Sequence, residues 1–165
     1  MNKTLWALPI ILIASPVAAM SEPTILWQNL VVGMSKAEVT ALYATGKVML
    51  TEQCEAKVVG DFSKGRLVKV VLKFGDIYAA GRGAWAQALE CQKIVRASII
   101  SRYGEPTQES IRIAEGRATG EILLWELNLT LVEFYAQEGR PFTVIQYHYL
   151  PPPKPPIEPA AANKL

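Results

Sequence analysis

The sequence predicts an α+β domain in which two helices pack on one face of an antiparallel β-sheet, and three observations carry that expectation. Two segments, 35–45 and 84–103, place apolar residues at steps of three and four, the period of a helix with one buried face. The segments between and after them alternate apolar and polar residues, the period of a half-buried strand. The strand segments are joined by short polar turns such as Ser63-Lys64-Gly65 and Gln137-Glu138-Gly139-Arg140, which connect hairpin neighbours. The order of helix, strands, helix, strands also fits a degenerate tandem repeat of a helix followed by a meander.

Residues 1–19 have the three zones of a cleavable secretory signal. Asn2 and Lys3 make a short charged start, 5–13 is an apolar run interrupted only by Pro9, and Val17 and Ala19 are small residues before a cut. The run is too short to span a bilayer, which needs about 20 apolar residues. Cleavage after Ala19 is expected, with Ser21 the alternative end. No cysteine follows the run to accept a lipid. No membrane insertion is expected after cleavage, and residues 20–150 form one domain.

Ile25, Leu26, Trp27, Leu30 and Val31 read as a short turn or strand leading into the first helix. Ser35 and Glu38 have the spacing of a capping box, and Met34 and Val39 that of a hydrophobic staple. Val39, Leu42 and Tyr43 continue the helical spacing, and Gly46 ends it. Strands follow at 57–59 and 66–74, with Val68, Val70, Leu72 and Phe74 on one face and Phe62 pointing inward from the turn. A glycine-rich connection, 75–83, opens the second helix, whose stripe is Ala84, Ala88, Cys91, Val95 and Ile99. Gly104 stops that helix and Pro106 prevents its resumption. Strands are expected at 107–113, 119–127, 129–135 and 142–150, with Val132 and Phe134 facing Ile145, Tyr147 and Tyr149. Residues 151–165 begin with Pro151-Pro152-Pro153-Lys154-Pro155-Pro156, an extended proline-rich tail that cannot enter helix or sheet.

The whole chain carries 17 basic and 15 acidic residues; loss of Lys3 with the signal leaves a net charge of +1. That balance argues against capture of nucleic acid by charge. The two cysteines, Cys54 and Cys91, are an even count in an exported chain and predict one disulfide. A structural metal needs about four ligands, and His148 is the only histidine. No metal and no cofactor is expected.

Several residue groups have the types that chemistry uses. Gly81-Arg82-Gly83-Ala84-Trp85-Ala86 matches G-x-G-x-x-A, but dinucleotide binding requires a parallel strand–helix–strand unit that the pattern lacks. A loop entering a helix explains it, which leaves Gly81, Arg82 and Gly83 as a candidate interaction loop, with Arg82 and the helix start able to hold an anion. His148 lacks an accompanying nucleophile motif such as G-x-S-x-G. Glu121, Glu126 and Glu133 lie in strands where two can come within the separation of a glycosidase pair, about 5–10 Å. Trp27, Trp85 and Trp125 fit core packing, or the wall of a ligand groove. No catalytic residue is assigned.

Gly33-Met34-Ser35-Lys36, followed by Glu38, Val39 and Leu42, resembles the helix start of the small outer-membrane assembly lipoproteins of the SmpA/OmlA type. The same short pattern is similar to the β-lactamase-inhibitor-protein-like fold, as is Tyr103-Gly104-Glu105-Pro106 followed by strands. The resemblance implies a non-catalytic scaffold that binds other proteins. The expected function is an exported interaction module of the bacterial cell envelope, periplasmic or secreted, with an envelope protein as partner and its own oligomeric state open. One alternative is an inhibitor of an exported lysozyme, protease or β-lactamase, acting through the 75–83 loop. The other is a small hydrolase or ligand carrier, which needs a concave pocket holding His148 or paired glutamates.

Overall fold

A computed structural model describes residues 22–52, 54–75, 82–114, 117–137, 140 and 142–153. The signal segment 1–19, most of the 75–83 connection including Gly81, and the tail from 154 onward lie outside the described residues.

The chain opens with a two-stranded hairpin, β1 (Ile25–Trp27) and β2 (Leu30–Val31), whose turn holds Gln28 at φ 48°. Leu26, Trp27 and Leu30 are buried. The chain then pins itself to the main sheet: the amide of Gly33 donates to the carbonyl of Leu67 at 2.9 Å, and that of Leu67 to Met34 at 2.8 Å. Helix α1 (Lys36–Leu42) starts as its sequence requires. Ser35 Oγ accepts from the Glu38 amide at 3.3 Å, and Glu38 Oε2 accepts from the Ser35 amide at 2.7 Å, so two otherwise unpaired donors are satisfied. Met34 and Val39 both pack into the core. The helix is only two turns long, which packing rather than propensity must hold.

Seven antiparallel strands make the main sheet: β3 (Lys47–Thr51), β4 (Cys54–Ser63), β5 (Arg66–Phe74), β6 (Gln108–Ala114), β7 (Arg117–Leu127), β8 (Thr130–Gln137) and β9 (Thr143–Tyr149). Their spatial order is β3-β4-β5-β9-β8-β7-β6. Two meanders, one after each helix, therefore meet along their last strands, β5 and β9. The β4–β5 turn is a two-residue one with Lys64 at φ 50° and Gly65 at φ 76°, the twist-matched geometry for a tight hairpin.

The register aligns the core in rows across the sheet. Val58, Leu72, Ile145, Phe134 and Leu123 stand opposite one another from β4 to β7, and Val70, Tyr147, Val132 and Trp125 form the next row. All nine are buried. Val39 of α1, and Cys91, Val95 and Ile99 of α2 (Arg82–Tyr103), join the same cluster. Full burial of one such aliphatic side chain is worth about 1.5–3 kcal/mol. The Cys54–Cys91 disulfide ties the first residue of β4 to α2, with Cα atoms 5.3 Å apart. At the far end of α2, Gly104 reverses the chain at φ 78°, and Trp125 Nε1 donates to its carbonyl at 2.9 Å.

The strand pattern of 57–74 needs three corrections. The pattern allows two or three strands here and places two; the third is β3, and β4 begins at Cys54 rather than Lys57. Leu67, not Val68, takes the inward place. Phe62 pairs with Leu67 while Asp61 pairs with Lys69, so Val68 is the extra residue of a bulge and loses its place in the alternation. In α2, which starts two residues earlier than expected, Ala84 is exposed and Ala88 only half-buried. Cys91 is the first residue of the stripe to reach the core, where the disulfide anchors it.

Candidate functional site

Two features stand out among the described residues: the face of the sheet turned away from the core cluster, and a cleft at one end of the core. On the first, Val59, Val71, Gln146, Glu133 and Leu124 align in register from β4 to β7. They are flanked by the row Asp61, Lys69, His148, Leu131 and Glu126 and the row Lys57, Lys73, Val144, Tyr135 and Ile122. Most of these residues are half-buried by their neighbours, and none belongs to the core cluster. The face mixes aliphatic side chains with paired charges. Lys69 Nζ lies 3.2 Å from Asp61 Oδ2.

His148 sits within this face, its side chain 31% exposed, with Nε2 3.8 Å from Glu133 Oε2. That separation is too long for a hydrogen bond, and Nε2 is enclosed without a hydrogen-bond partner. Burial holds the imidazole below its ordinary pKa, and Lys69 adds to this, while Glu133 and Asp61 pull the other way. Desolvation wins, so at neutral pH the contact with Glu133 is between a neutral ring and a carboxylate, not an ion pair. The register partners of His148 are Lys69, held by Asp61, and Leu131, so no hydroxyl or thiol stands opposite it.

Of the three strand glutamates, two share one face of the sheet and the third stands apart on the other. Glu121 lies in the same register row as Ala136, Thr143 and Phe74, on the core side. There Arg96 of α2 grips it with two nitrogens, at 2.9 Å and 2.7 Å. Glu126 and Glu133 share the opposite face as diagonal neighbours, a placement of about 7–8 Å. Glu126 is exposed there and Glu133 half-buried.

The cleft has a volume of about 500 Å³ and lies between the N-terminal hairpin, the end of α2 and the β7–β8 turn. Trp27, Val132 and Tyr147 form its buried floor, and Arg102, Glu22 and Asn128 contribute polar groups to its lining. Burial pushes the Tyr147 phenol well above its ordinary pKa, and the neighbouring Tyr103 adds to the shift. Neither His148 nor any of the three strand glutamates lines the cleft. Of the tryptophans, Trp27 reaches it, Trp125 is buried in the core, and Trp85 is half-buried on α2. Arg102 and Tyr103 were legible only as a helix end; their approach to the N-terminal hairpin has no signal in local sequence.

Cys54 and Cys91 are joined as their count and compartment predicted. Of the candidate loop, Gly83 is exposed in the first turn of α2, Arg82 is described only as the residue that opens that helix, and Gly81 lies outside the described residues. In comparison with known proteins, the chain matches no family model, no curated protein and no solved structure.

Proposed function

We propose that this chain is an exported interaction module of the bacterial cell envelope, its two helices covering one face of the sheet and the opposite face meeting a partner protein. The observation that carries the reading is that opposite face. It sets the aliphatic side chains Val59, Val71, Leu124 and Leu131 among polar and charged ones, of which Lys69 and Asp61 are paired, the mixed composition of a non-obligate protein interface. The disulfide accords with an oxidising compartment. The resemblance of residues 33–42 to outer-membrane assembly lipoproteins supports the same class of role.

The test is to cross-link a tagged chain in its native cells, purify it and identify the stoichiometric companion. Leu124→Glu is expected to remove that companion while the melting temperature changes little. A purified chain with saturable turnover abolished by His148→Gln sinks the reading. The cleft favours a second reading, a carrier of a small amphiphile whose acid group meets Arg102. Thermal stabilisation by such a ligand, lost on Arg102→Ala, would establish it.

A further inference from the structure

The two outer strands of the main sheet are guarded unequally. β3 has five residues, a register irregularity between Met49 and Thr51, and Lys47 at its rim, paired to Glu55 at 2.8 Å. Short, irregular, lysine-bearing edges resist pairing with other chains. β6 has seven residues, no lysine and no proline, and leaves Ile111 and Ile113 67% and 68% exposed.

Of the two charges on β6, the arginine is drawn back over the molecule. The Arg112 guanidinium stands 5.8 Å from the ring centroid of Tyr135, two strands inward on β8. It reaches that ring across Gly120, its register partner on β7, which has no side chain to block the way. The irregularity beside Arg112 places its extra residue, Thr119, in β7, so β6 itself keeps a regular alternation. Among the described residues no strand pairs with its outer rim, which leaves backbone N–H and C=O groups beside two exposed isoleucines, and the chemical complement of such a rim is another strand.

We propose that β6 is a self-pairing edge, through which a second copy of this chain adds its own β6 antiparallel, centred on Ile111. In that register Ile111 meets Ile111 of the second copy, Ile113 meets Glu109, and Arg112 meets Ser110. No like charges stand opposite one another, a condition for a stable cross-strand set. Ile111 and Ile113 of both copies become contiguous on one face, and the two sheets run on as one. The register centred on Arg112 pairs Ile111 with Ile113 but sets the two Arg112 guanidinium groups directly opposite each other, and a shift by one residue sets isoleucine against the polar Ser110 and Gln108. A single strand edge buries less area than a standard interface, so the dimer dissociates at accessible concentrations.

The mature chain, purified from the periplasm with its disulfide intact, is followed by sedimentation over a range of concentrations. A reversible monomer–dimer equilibrium is expected. Ile111→Lys, which sets two ammonium groups against each other, raises the dissociation constant at least about tenfold. Ile25→Lys, on the exposed face of β1, leaves it unchanged, and circular dichroism verifies the fold of both variants. On oxidation, Ile111→Cys forms a covalent dimer and Ile113→Cys does not, because residue 113 faces residue 109 of the other copy. A chain that stays monomeric throughout, a dimer indifferent to Ile111→Lys, or faster linking through position 113 overturns the inference. A monomer that captures an envelope protein, with capture lost on Ile111→Lys, assigns the edge to a foreign strand; it overturns self-pairing and leaves the proposed function standing.

Discussion

His148 is enclosed by its own sheet face, with Lys69 beside it and Glu133 just out of hydrogen-bonding range. Its pKa in the fold lies below the ordinary value of 6.5, so the unfolded chain takes up the proton first as pH falls. Its contribution to stability is therefore fully present above about pH 6.5 and is lost as pH falls from there through the lower, folded pKa. Thermal melts between neutral and mildly acidic pH are expected to show this loss, and His148→Gln to flatten it. A second residue-level test concerns the cap of α1. Ser35→Ala removes the acceptor for the Glu38 amide and is expected to cost about 1 kcal/mol in urea denaturation.

Among the elements, the start of α1, the end of α2 and the four strands after α2 were legible in the sequence, because caps, glycine stops and period-two alternation act locally; α1 ends earlier and α2 begins earlier than the pattern placed them. The pairing of Val132 and Phe134 with Tyr147 and Ile145 follows from that alternation once the strands are adjacent. β3 was not placed: Lys47–Thr51 reads as a weak strand alone and is held by β4 beside it. The Val68 bulge was missed for a related reason, since it arises where the amide and carbonyl of Leu67 are claimed by Met34 and Gly33, far away in sequence. The Cys54–Cys91 bond joins elements 37 residues apart. Its reduction is expected to lower stability by about 3–4 kcal/mol on the chain-entropy estimate, measured as the shift in urea midpoint with and without reductant.

Two glycines separate turn strain from steric exclusion at this same scale. Gly65 has a positive φ and open space about its Cβ position, so Gly65→Ala costs about 1–2 kcal/mol from the backbone alone. A Cβ on Gly120 would stand 2.6 Å from the Ala136 carbonyl oxygen and 2.8 Å from the Tyr135 ring. Gly120→Ala must move β8, and is expected to be the more destabilising of the two in the same denaturation assay.

On the scale of the whole molecule, the residues of the open face and of the cleft were visible only as alternating strand positions and helix ends. Their grouping is set by the strand order, which brings β4 and β7 onto one surface from opposite ends of the chain. The same order places β9, the last strand in sequence, between β5 and β8 at the centre of the sheet. A chain stopped at residue 137 lacks the only strand joining the two meanders, and its amides are expected to lose the slow hydrogen exchange of the intact sheet.

That arrangement also sets a schedule. A polypeptide made and delivered from its N-terminus has its first meander and α2 in hand, with both cysteines available, long before β9 emerges. The disulfide can tether the helix while the seam is still open, and the sheet closes from its middle as the final step. Until then β5 and β8 present raw edges to whatever is nearby, so the hazard of wrong pairing during folding is concentrated in the interval between the appearance of Phe74 and that of Tyr149.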